Sequence, residues 1–210
     1  MKVLVISDVH GNLPALEFVL NEEKDSDLII SLGDVVNYGP WSNECVDLLS
    51  TQKNKVLLQG NHEEAFISGN YPGNHPIAKA FFDFCYPKFN KKQEIERYLQ
   101  NYALNDFTFC HTINNSYVFE DTILDIDKNY FIGHSHRIFK REINGFTLVN
   151  TGSVGQNRLN INEVNYCVFY TEENKIELKK KAFSAQKLIN KMESDSYPQI
   201  CMDYILSKVK

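Results

Sequence analysis

Three short apolar runs in the first sixty residues, separated by stretches with helical periodicity, constrain the fold more than any other feature. The runs are Met1 to Ile6, Asp27 to Leu32 and Lys55 to Gln59. Each is rich in branched apolar residues and is bounded by small or polar ones, which is typical of a buried strand. The alternation of strand and helix predicts a parallel sheet with right-handed crossovers.

Potential metal ligands follow each of these three predicted strands. Asp8 and His10 follow the first strand, Asp34 follows the second, and Asn61 and His62 follow the third. The carboxyl ends of parallel strands meet at one edge of a sheet, where α/β proteins bind ligands. Asp8 and His10 are two positions apart, so in an extended chain their side chains would point the same way. We therefore expect these side chains to converge.

Capping residues predict where the helices begin. Asn12 is expected to cap the first helix and Ser42 the second. The tail, about 184–210, predicts two amphipathic helices. Ser184 is the expected cap of the first, and Ile200 is among the expected apolar positions of the second.

The segment from about 63 to 106 differs in composition from the stretches on either side. It contains an aromatic-rich helical stretch, Ile77 to Tyr86, and a charged one, Gln93 to Leu99. We expect a helical insertion within a single domain of residues 1–210. Two arrangements are open: the insertion lies beside or over the ligand-bearing edge, or it only covers one face of the sheet.

Short strands with tight turns are predicted after the insertion. They are Phe107 to His111, Tyr130 to Gly133, Ile138 to Arg141, Phe146 to Asn150, Tyr166 to Tyr170 and Lys175 to Lys180. Helix-linked strands followed by hairpins indicate two packed sheets with helices outside.

Five of the six histidines lie at predicted strand ends, and only His75 stands outside such a motif. A single histidine is more often structural than a ligand. Joined by two aspartates and an asparagine, however, the five together predict a metal site. The five histidines are His10, His62, His111, His134 and His136.

The order of these motifs resembles that of the calcineurin-like metallophosphoesterase superfamily. The order is Asp-x-His, Gly-Asp, Gly-Asn-His, His, Gly-His-x-His. Two motif sequences are similar to those of the compact bacterial and archaeal phosphodiesterase branch: Ser-Asp-Val-His-Gly-Asn-Leu-Pro-Ala-Leu and Asn-Thr-Gly-Ser-Val-Gly-Gln. The resemblance spans Met1 to about Tyr170 and implies an α/β fold, a four-layer α-β-β-α sandwich. The helical insertion and the C-terminal helices lie outside it.

The resemblance also implies a dinuclear site in which Asp34 bridges two divalent metal ions. The first ion would take Asp8, His10 and His136, and the second would take Asn61, His111 and His134. Mixed imidazole, carboxylate and amide ligands suit Mn, Fe, Zn, Co or Ni, with Mn the first choice. A hydroxide held between the ions would be the nucleophile.

Three residues are expected to contact substrate. The family role of His62 is to hydrogen-bond the scissile phosphate and to protonate the leaving oxygen. The alternative is that His62 only orients Asn61, which itself is expected to touch substrate. Arg158 can bind phosphate as a bidentate donor, or it is a solvated surface arginine.

One motif departs from the pattern of the protein serine/threonine phosphatases. Those enzymes have Gly-Asp-x-x-Asp-Arg-Gly, whereas this chain has Asn37 and Tyr38 at the last Asp and the Arg. The arginine that grips a dianionic monoester is therefore absent, which favours phosphodiester hydrolysis. Alternatives are a nucleotide or diadenosine polyphosphate hydrolase, a phosphomonoesterase (protein phosphatases included), and a non-catalytic scaffold. No expected ligand is missing, which disfavours the scaffold.

Net charge, apolar run length and cysteine content limit the classes of partner and the cellular location that we expect. The net charge is −5 with no basic block, which disfavours strong nucleic-acid binding. No apolar run approaches the ~20 residues that span a bilayer. Five scattered cysteines and no recognisable signal peptide predict reduced thiols and a cytoplasmic location. We expect a small phosphoester or nucleotide substrate and no membrane partner, with homo-oligomerisation left open.

Overall fold

The computed structural model describes all residues, 1–210, and contains ten β-strands and seven α-helices. The strands are β1 Lys2–Ile6, β2 Leu28–Ser31, β3 Lys55–Leu57, β4 Asn101–Leu104, β5 Phe107–Cys110, β6 Asn129–Ile132, β7 Ile138–Ile143, β8 Phe146–Thr151, β9 Glu163–Tyr170 and β10 Lys175–Ala182. The helices are α1 Leu13–Glu22, α2 Ser42–Ser50, α3 Asn61–Ser68, α4 Pro76–Cys85, α5 Lys92–Ile95, α6 Gln186–Ser194 and α7 Gln199–Leu206. None of the helices is long and apolar enough to cross a membrane.

The first sheet has the strand order β10-β9-β1-β2-β3. The pairs β1·β2 and β2·β3 are parallel, as the alternation of strand and helix predicted. In the first pair Leu4 lies opposite Ile29. β9 runs antiparallel to β1, with Val3 opposite Phe169, and β10 pairs antiparallel with β9. The last hairpin of the chain thus extends the sheet that the first strands begin.

The second sheet has the order β4-β5-β6-β8-β7 and is also mixed. The pairs β5·β6 and β6·β8 are parallel, which corrects the prediction that this half consists of hairpins alone. β4, at the edge, lies within the segment 63–106 that the sequence assigned to the helical insertion. Its four residues include no branched residue until Leu104 and alternate between exposed and half-buried, so they carry a weak strand signal.

The apolar core lies in three layers. Between the sheets, residues such as Val5, Phe109 and Phe131 form one cluster. All seven helices bury their apolar residues in a larger cluster on the other face of the first sheet. The α/β sandwich of two mixed sheets with flanking helices is therefore confirmed. The outer face of the second sheet is covered by the non-helical segment 113–126, through Val118 and Ile126.

Local helix signals were partly correct. Asn12 caps α1, with its side chain accepting a hydrogen bond from the Ala15 amide. Ser42 does not cap α2, because its hydroxyl instead accepts from the amide of Asn37 in the preceding turn. Ala185, and not Ser184, occupies the cap position of α6. Ile200 is 41% exposed, so its apolar character does not mark the buried face of α7.

Candidate metal centre

Both sheets deliver polar side chains to one shared edge. The loops after β1 and β2 and the start of α3 supply residues from the first sheet, and the segments after β5 and β6 supply residues from the second. Every metal ligand predicted from the sequence lies at this edge. They are Asp8, His10, Asp34, Asn61, His111, His134 and His136.

The backbone reaches this arrangement through left-handed turns. Asp8, His10, Asp34, His134 and His136 all have φ between 47° and 67°. The side chains of Asp8 and His10 do converge, as expected. The expected reason, an extended chain, is wrong, because both residues have left-handed backbone conformations. Non-glycine residues rarely adopt this conformation, and such residues concentrate at functional sites because the surrounding structure must hold them there.

One group of ligand atoms gathers around Asp8. Its Oδ1 lies 3.1 Å from Nε2 of His136 and 3.7 Å from Nε2 of His10. The two histidine Nε2 atoms are 3.2 Å apart. Asp8 is fully buried, and its Oδ2 accepts a hydrogen bond of 2.9 Å from the amide of His134. The three side chains form a compact set that can hold one ion.

A second group gathers around His111. Its Nε2 lies 3.1 Å from Nδ1 of His134, 3.2 Å from Oδ1 of Asn61 and 3.2 Å from Oδ2 of Asp34. His111 and His134 come from the second sheet, whereas Asn61 and Asp34 come from the first. The site is thus completed only when the two sheets pack together.

Asp34 lies between the two groups. Its Oδ2 is 3.2 Å from His111, 3.9 Å from His10 and 3.9 Å from His62, measured to Nε2 in each case. A side chain at Gly60 would collide with this carboxylate, so the residue that precedes α3 must be glycine for Asp34 to fit. One carboxylate can therefore serve both groups.

In three of the histidines, a hydrogen bond at Nδ1 determines that Nε2 is the atom free to bind a metal ion. Nδ1 of each ring lies near a backbone carbonyl oxygen, which can only accept, so a neutral ring carries its proton on Nδ1 and a lone pair on Nε2. The pairs are His10 with Val36 at 3.1 Å, His111 with Leu32 at 3.1 Å and His136 with Gln156 at 2.5 Å.

This donor set fits metal ions. The lone pairs of His10 and His136 face each other, and Oδ1 of Asp8 is buried with no hydrogen-bond partner. Acceptor atoms that face each other without a donor are costly when buried, and cations between them remove that cost.

Burial and neighbouring charges decide which groups of the site are ionised. Burial lowers the pKa of His10 well below its usual value and lowers that of His134 to about 4. Burial also acts to lower the pKa of His111, but the carboxylate of Asp34 raises it to about 9. Burial acts to raise the pKa of Asp34, yet the imidazoles around it, His111 first, hold it well below its usual range. Neutral imidazole and ionised carboxylate are the forms that bind metal, so His111 must release a proton when an ion binds.

His62 lies beside the ligands. Its Nε2 is 3.9 Å from Oδ2 of Asp34, and its amide donates a 2.9 Å hydrogen bond to Oδ1 of the same carboxylate. On its far side, Nδ1 is 2.9 Å from Nδ2 of Asn37. Asn37 therefore occupies the position of the aspartate that the phosphatase pattern would place there. Burial lowers the pKa of His62.

Glu63, which was not among the predicted site residues, is fully buried below the site. Its Oε2 accepts from the amides of Asp34 and Gly60, both at 2.7 Å, and its Oε1 accepts from those of Val35 at 2.7 Å and Val36 at 3.2 Å. Burial and the nearby Asp34 raise the pKa of Glu63 to about 7. A glutamate three residues after a glycine at a helix start is the signal that was available.

Arg158 lies at the mouth of the site and is half-buried. Its Nη2 is 3.4 Å from Nε2 of His136, and its guanidinium lies 5.3 Å from the ring centre of Tyr117. The Tyr117 ring in turn stacks on His134 with centroids 4.1 Å apart. Tyr117 had no motif to identify it. Arg158 thus packs against a candidate ligand and is not fully solvated, and its contact with phosphate stays a prediction.

A cavity of about 480 Å³ opens beside Asn61 and His62. Tyr71 and His75 from the segment between α3 and α4 line it, as do Ile77 from α4 and Tyr204 from α7. The helical segment therefore lies beside the site, which was the first of the two arrangements considered.

The family model of the calcineurin-like phosphoesterases matches residues 1–181 of this chain. The match covers most of the 210 residues and contains both groups of ligand atoms. The chain belongs to the calcineurin-like phosphoesterase family. It is accordingly a metallophosphoesterase, a hydrolase of phosphoric ester bonds, and its Asp and His groups are candidate ligands.

Individual proteins are similar to this chain over most of its length. An uncharacterized protein of Methanocaldococcus jannaschii is 30% identical, and the alignment covers 94% of each chain. The crystal structure of a metallophosphoesterase from Sphaerobacter thermophilus has a TM-score of 0.80 at 25% identity and covers 100% of both chains. An archaeal phosphodiesterase has a TM-score of 0.51 at 17% identity, covers 86% of this chain and 100% of its own, and shows the shared fold alone.

Proposed function

We propose that this calcineurin-like phosphoesterase is a phosphodiesterase with a dinuclear centre. The observation that carries the proposal is the position of Asp34 between two groups of ligand atoms, each of a size to hold one ion. Asp8, His10 and His136 would hold one ion, and His111, His134 and Asn61 the other. Asp34 would be shared.

The donor set favours divalent transition metals. Each group offers two imidazole nitrogens beside its carboxylate or amide oxygens, which suits Mn, Fe, Zn, Co or Ni better than Mg or Ca, and Mn is our first choice. Two such ions, when bound, supply Lewis-acid activation of the phosphate and lower the pKa of water. The residues of the chain do the remaining work.

His62 is placed to donate a hydrogen bond to the substrate. With the amide donor of Asn37 at Nδ1, a neutral ring carries its proton on Nε2, the atom on the side of Asp34. A proton held there can bind a phosphate oxygen and pass to the leaving oxygen. The hydrogen bond to Asn37 also holds the ring independently of Asn61, which argues against a role limited to orienting that residue.

The surroundings of His62 support diester hydrolysis over dephosphorylation of proteins. Tyr38 stands where the protein phosphatases have arginine, and its ring packs at 4.7 Å from His10 and 5.3 Å from His62. It brings no charge to the site. Arg158 is thus the single guanidinium known to touch the ligand cluster, and its contact is with His136. A diester carries one charge fewer than a monoester and needs less compensation.

A second candidate is a nucleotide or dinucleoside polyphosphate hydrolase. The cavity beside His62 is lined by four tyrosines and three cationic side chains, which is a suitable environment for an aromatic, anionic group. Both candidates use the same ligand atoms and differ only in the rest of the substrate. A non-catalytic scaffold would not require the paired acceptor atoms described above.

Metal analysis combined with turnover tests the proposal. The purified protein is expected to hold about two ions per chain after Mn²⁺ loading and dialysis, and to hydrolyse bis-p-nitrophenyl phosphate faster than p-nitrophenyl phosphate. Chelation is expected to abolish turnover and lower the melting temperature, and Mn²⁺ to restore both. Turnover that survives complete chelation, or a preference for the monoester, would overturn the assignment.

A further inference from the structure

The cavity beside His62 has an unusual charge for this protein. The chain carries a net charge of −5, yet none of the residues lining this cavity is acidic. Three are cationic: Arg137, Arg158 and Lys208. None of the ion pairs in the chain involves any of the three.

Cations that gather at a cavity without carboxylate partners favour an anionic ligand. All three side chains are half-buried, so water solvates them less well than it does surface residues. Nε2 of His136, itself a candidate metal ligand, lies 3.4 Å from Nη2 of Arg158, and Tyr117 and Tyr204 also lie beside the guanidinium. None of these neighbours is a carboxylate. With metals bound, the whole region becomes still more positive. One phosphate can contact the metals and Arg158, which leaves Arg137 and Lys208 for a second anionic group.

The position of Lys208 is fixed by the fold. Its carbonyl oxygen accepts a 2.9 Å hydrogen bond from the amide of Ile161, in the loop that carries Arg158. One turn earlier on α7, the ring of Tyr204 lies 6.4 Å from that of Tyr38 and 6.1 Å from that of Phe81. The end of α7 is thus held, before any ligand binds, against the edge of the sheets that carries the predicted metal ligands. This lowers the entropic cost of binding.

The remaining walls suit a flat ring. Tyr71 and Tyr117 line the cavity on the side of the ligands, and Tyr71 lies nearly parallel to His62, with centroids 6.4 Å apart and planes at 25°. Tyrosines offer both an apolar face and a hydroxyl donor. The cavity volume of about 480 Å³ falls within the range of small-molecule sites.

We propose that this cavity is a substrate subsite for a nucleotide that carries a second phosphate, with Arg137 and Lys208 binding that second phosphate. The inference rests on the proposed function, because it places the scissile phosphate next to Asn61 and His62. Tyr204 and Lys208 lie beyond residues 1–181, the part that matches the family model. Two residues of the subsite thus lie outside the part of the chain that the family model describes.

The test compares adenosine 3′,5′-bisphosphate with adenosine 5′-monophosphate. Dissociation constants are measured by calorimetry on the full chain loaded with Mn²⁺, and inhibition constants against bis-p-nitrophenyl phosphate. The bisphosphate is expected to bind the wild type about tenfold more tightly, since hydrogen bonds to charged groups are strong. Arg137→Gln and Lys208→Gln are each expected to reduce this ratio about threefold or more.

Two matched variants separate the contributions. Lys210→Gln removes the same charge two residues away, on an exposed side chain outside the cavity, and should leave the ratio unchanged. Tyr71→Leu should weaken both nucleotides by a similar factor and so also preserve the ratio. Equal affinities for the two nucleotides in the wild type, no binding of either, or an unchanged ratio in Arg137→Gln and Lys208→Gln would overturn the inference. Because calorimetry needs no turnover, failure of the proposed hydrolysis is recorded separately.

Discussion

The Nε2 atoms of His10 and His136 lie 3.2 Å apart, while Nδ1 of each ring faces a backbone carbonyl oxygen. Two neutral rings held in this way direct lone pairs at each other. Oδ1 of Asp8, 3.1 Å from His136, adds a third acceptor and has no other partner. The pair is brought together from opposite sheets, 126 residues apart in the chain. A cation shared between the rings would stabilise this contact.

Asp8→Asn is expected to weaken the first ion site and leave the second in place. The variant removes one negative charge and one ligand oxygen but retains an oxygen that can accept from the His134 amide. We expect metal content after dialysis to fall from about two ions to about one, and turnover to fall roughly 100-fold or more. Elemental analysis and steady-state kinetics measure the two effects. Asp25→Asn, on the surface, is the matched control; wild-type metal content and rate in Asp8→Asn would contradict the ligand assignment.

Glu63→Gln should destabilise the loop that carries Asp34. Both carboxylate oxygens accept backbone N–H groups, and an amide nitrogen in place of one oxygen would meet donors instead. Each buried donor left unpaired costs about 1–3 kcal/mol, so the free energy of unfolding should fall by about that amount or more. Urea unfolding of the chelated protein gives the value without a contribution from metal. Glu64→Gln, the exposed neighbour, should be nearly neutral, and equal stabilities of the two variants would contradict this role.

His62→Asn should affect substrates according to their leaving group. Loss of a general acid typically costs about 100-fold or more when the leaving oxygen is a poor one, and much less for p-nitrophenolate, which leaves without a proton. Rates on alkyl and p-nitrophenyl diesters, compared at verified metal content, provide the measurement. Full activity on the alkyl diester with both ions bound would show that His62 is not the acid.

Asn37→Asp should increase the rate on diesters with poor leaving groups, the opposite of the effect expected for His62→Asn. The new carboxylate would lie about where Nδ2 now sits, 2.9 Å from Nδ1 of His62. A carboxylate there favours the protonated ring and is expected to raise the pKa of His62 by about one unit or more. Aspartate tolerates the left-handed backbone of this position, where φ is 73°. We expect roughly tenfold faster turnover of diesters with poor leaving groups. Asn21→Asp, on the exposed face of α1, controls for added charge, and an unchanged dependence on the leaving group would refute the coupling.

Local patterns in the sequence predicted much of the fold and the positions of the ligands. The strands that end at Ile6 and Ser31 are short, apolar and bounded by small residues, so their type could be inferred from composition alone. The joint occurrence of Asp8, His10 and Asp34 after such strands then pointed to one edge, because parallel strands end together. These inferences need only short-range periodicity and one topological rule.

Other features followed from contacts between distant segments. Nothing near Val164 in the sequence indicates that β9 joins β1, and nothing near Asn101 indicates an edge strand of the second sheet. The left-handed turns at His134 and His136 also escaped prediction, since non-glycine residues adopt them only when packing compensates.

The sequence by itself determined the chemistry of this protein: imidazoles, carboxylates and an amide at strand ends, in an order that resembles one family. Tertiary structure decided how they act. The packing of two sheets brings His136 to His10, and the buried Glu63 holds the backbone of Asp34. The docking of α7 places Lys208 in the wall of the cavity beside His62. In sequence, Lys208 is one lysine of a polar tail. Its proposed role depends on the anion-binding cavity it lines, and such a cavity exists only where distant parts of the chain meet.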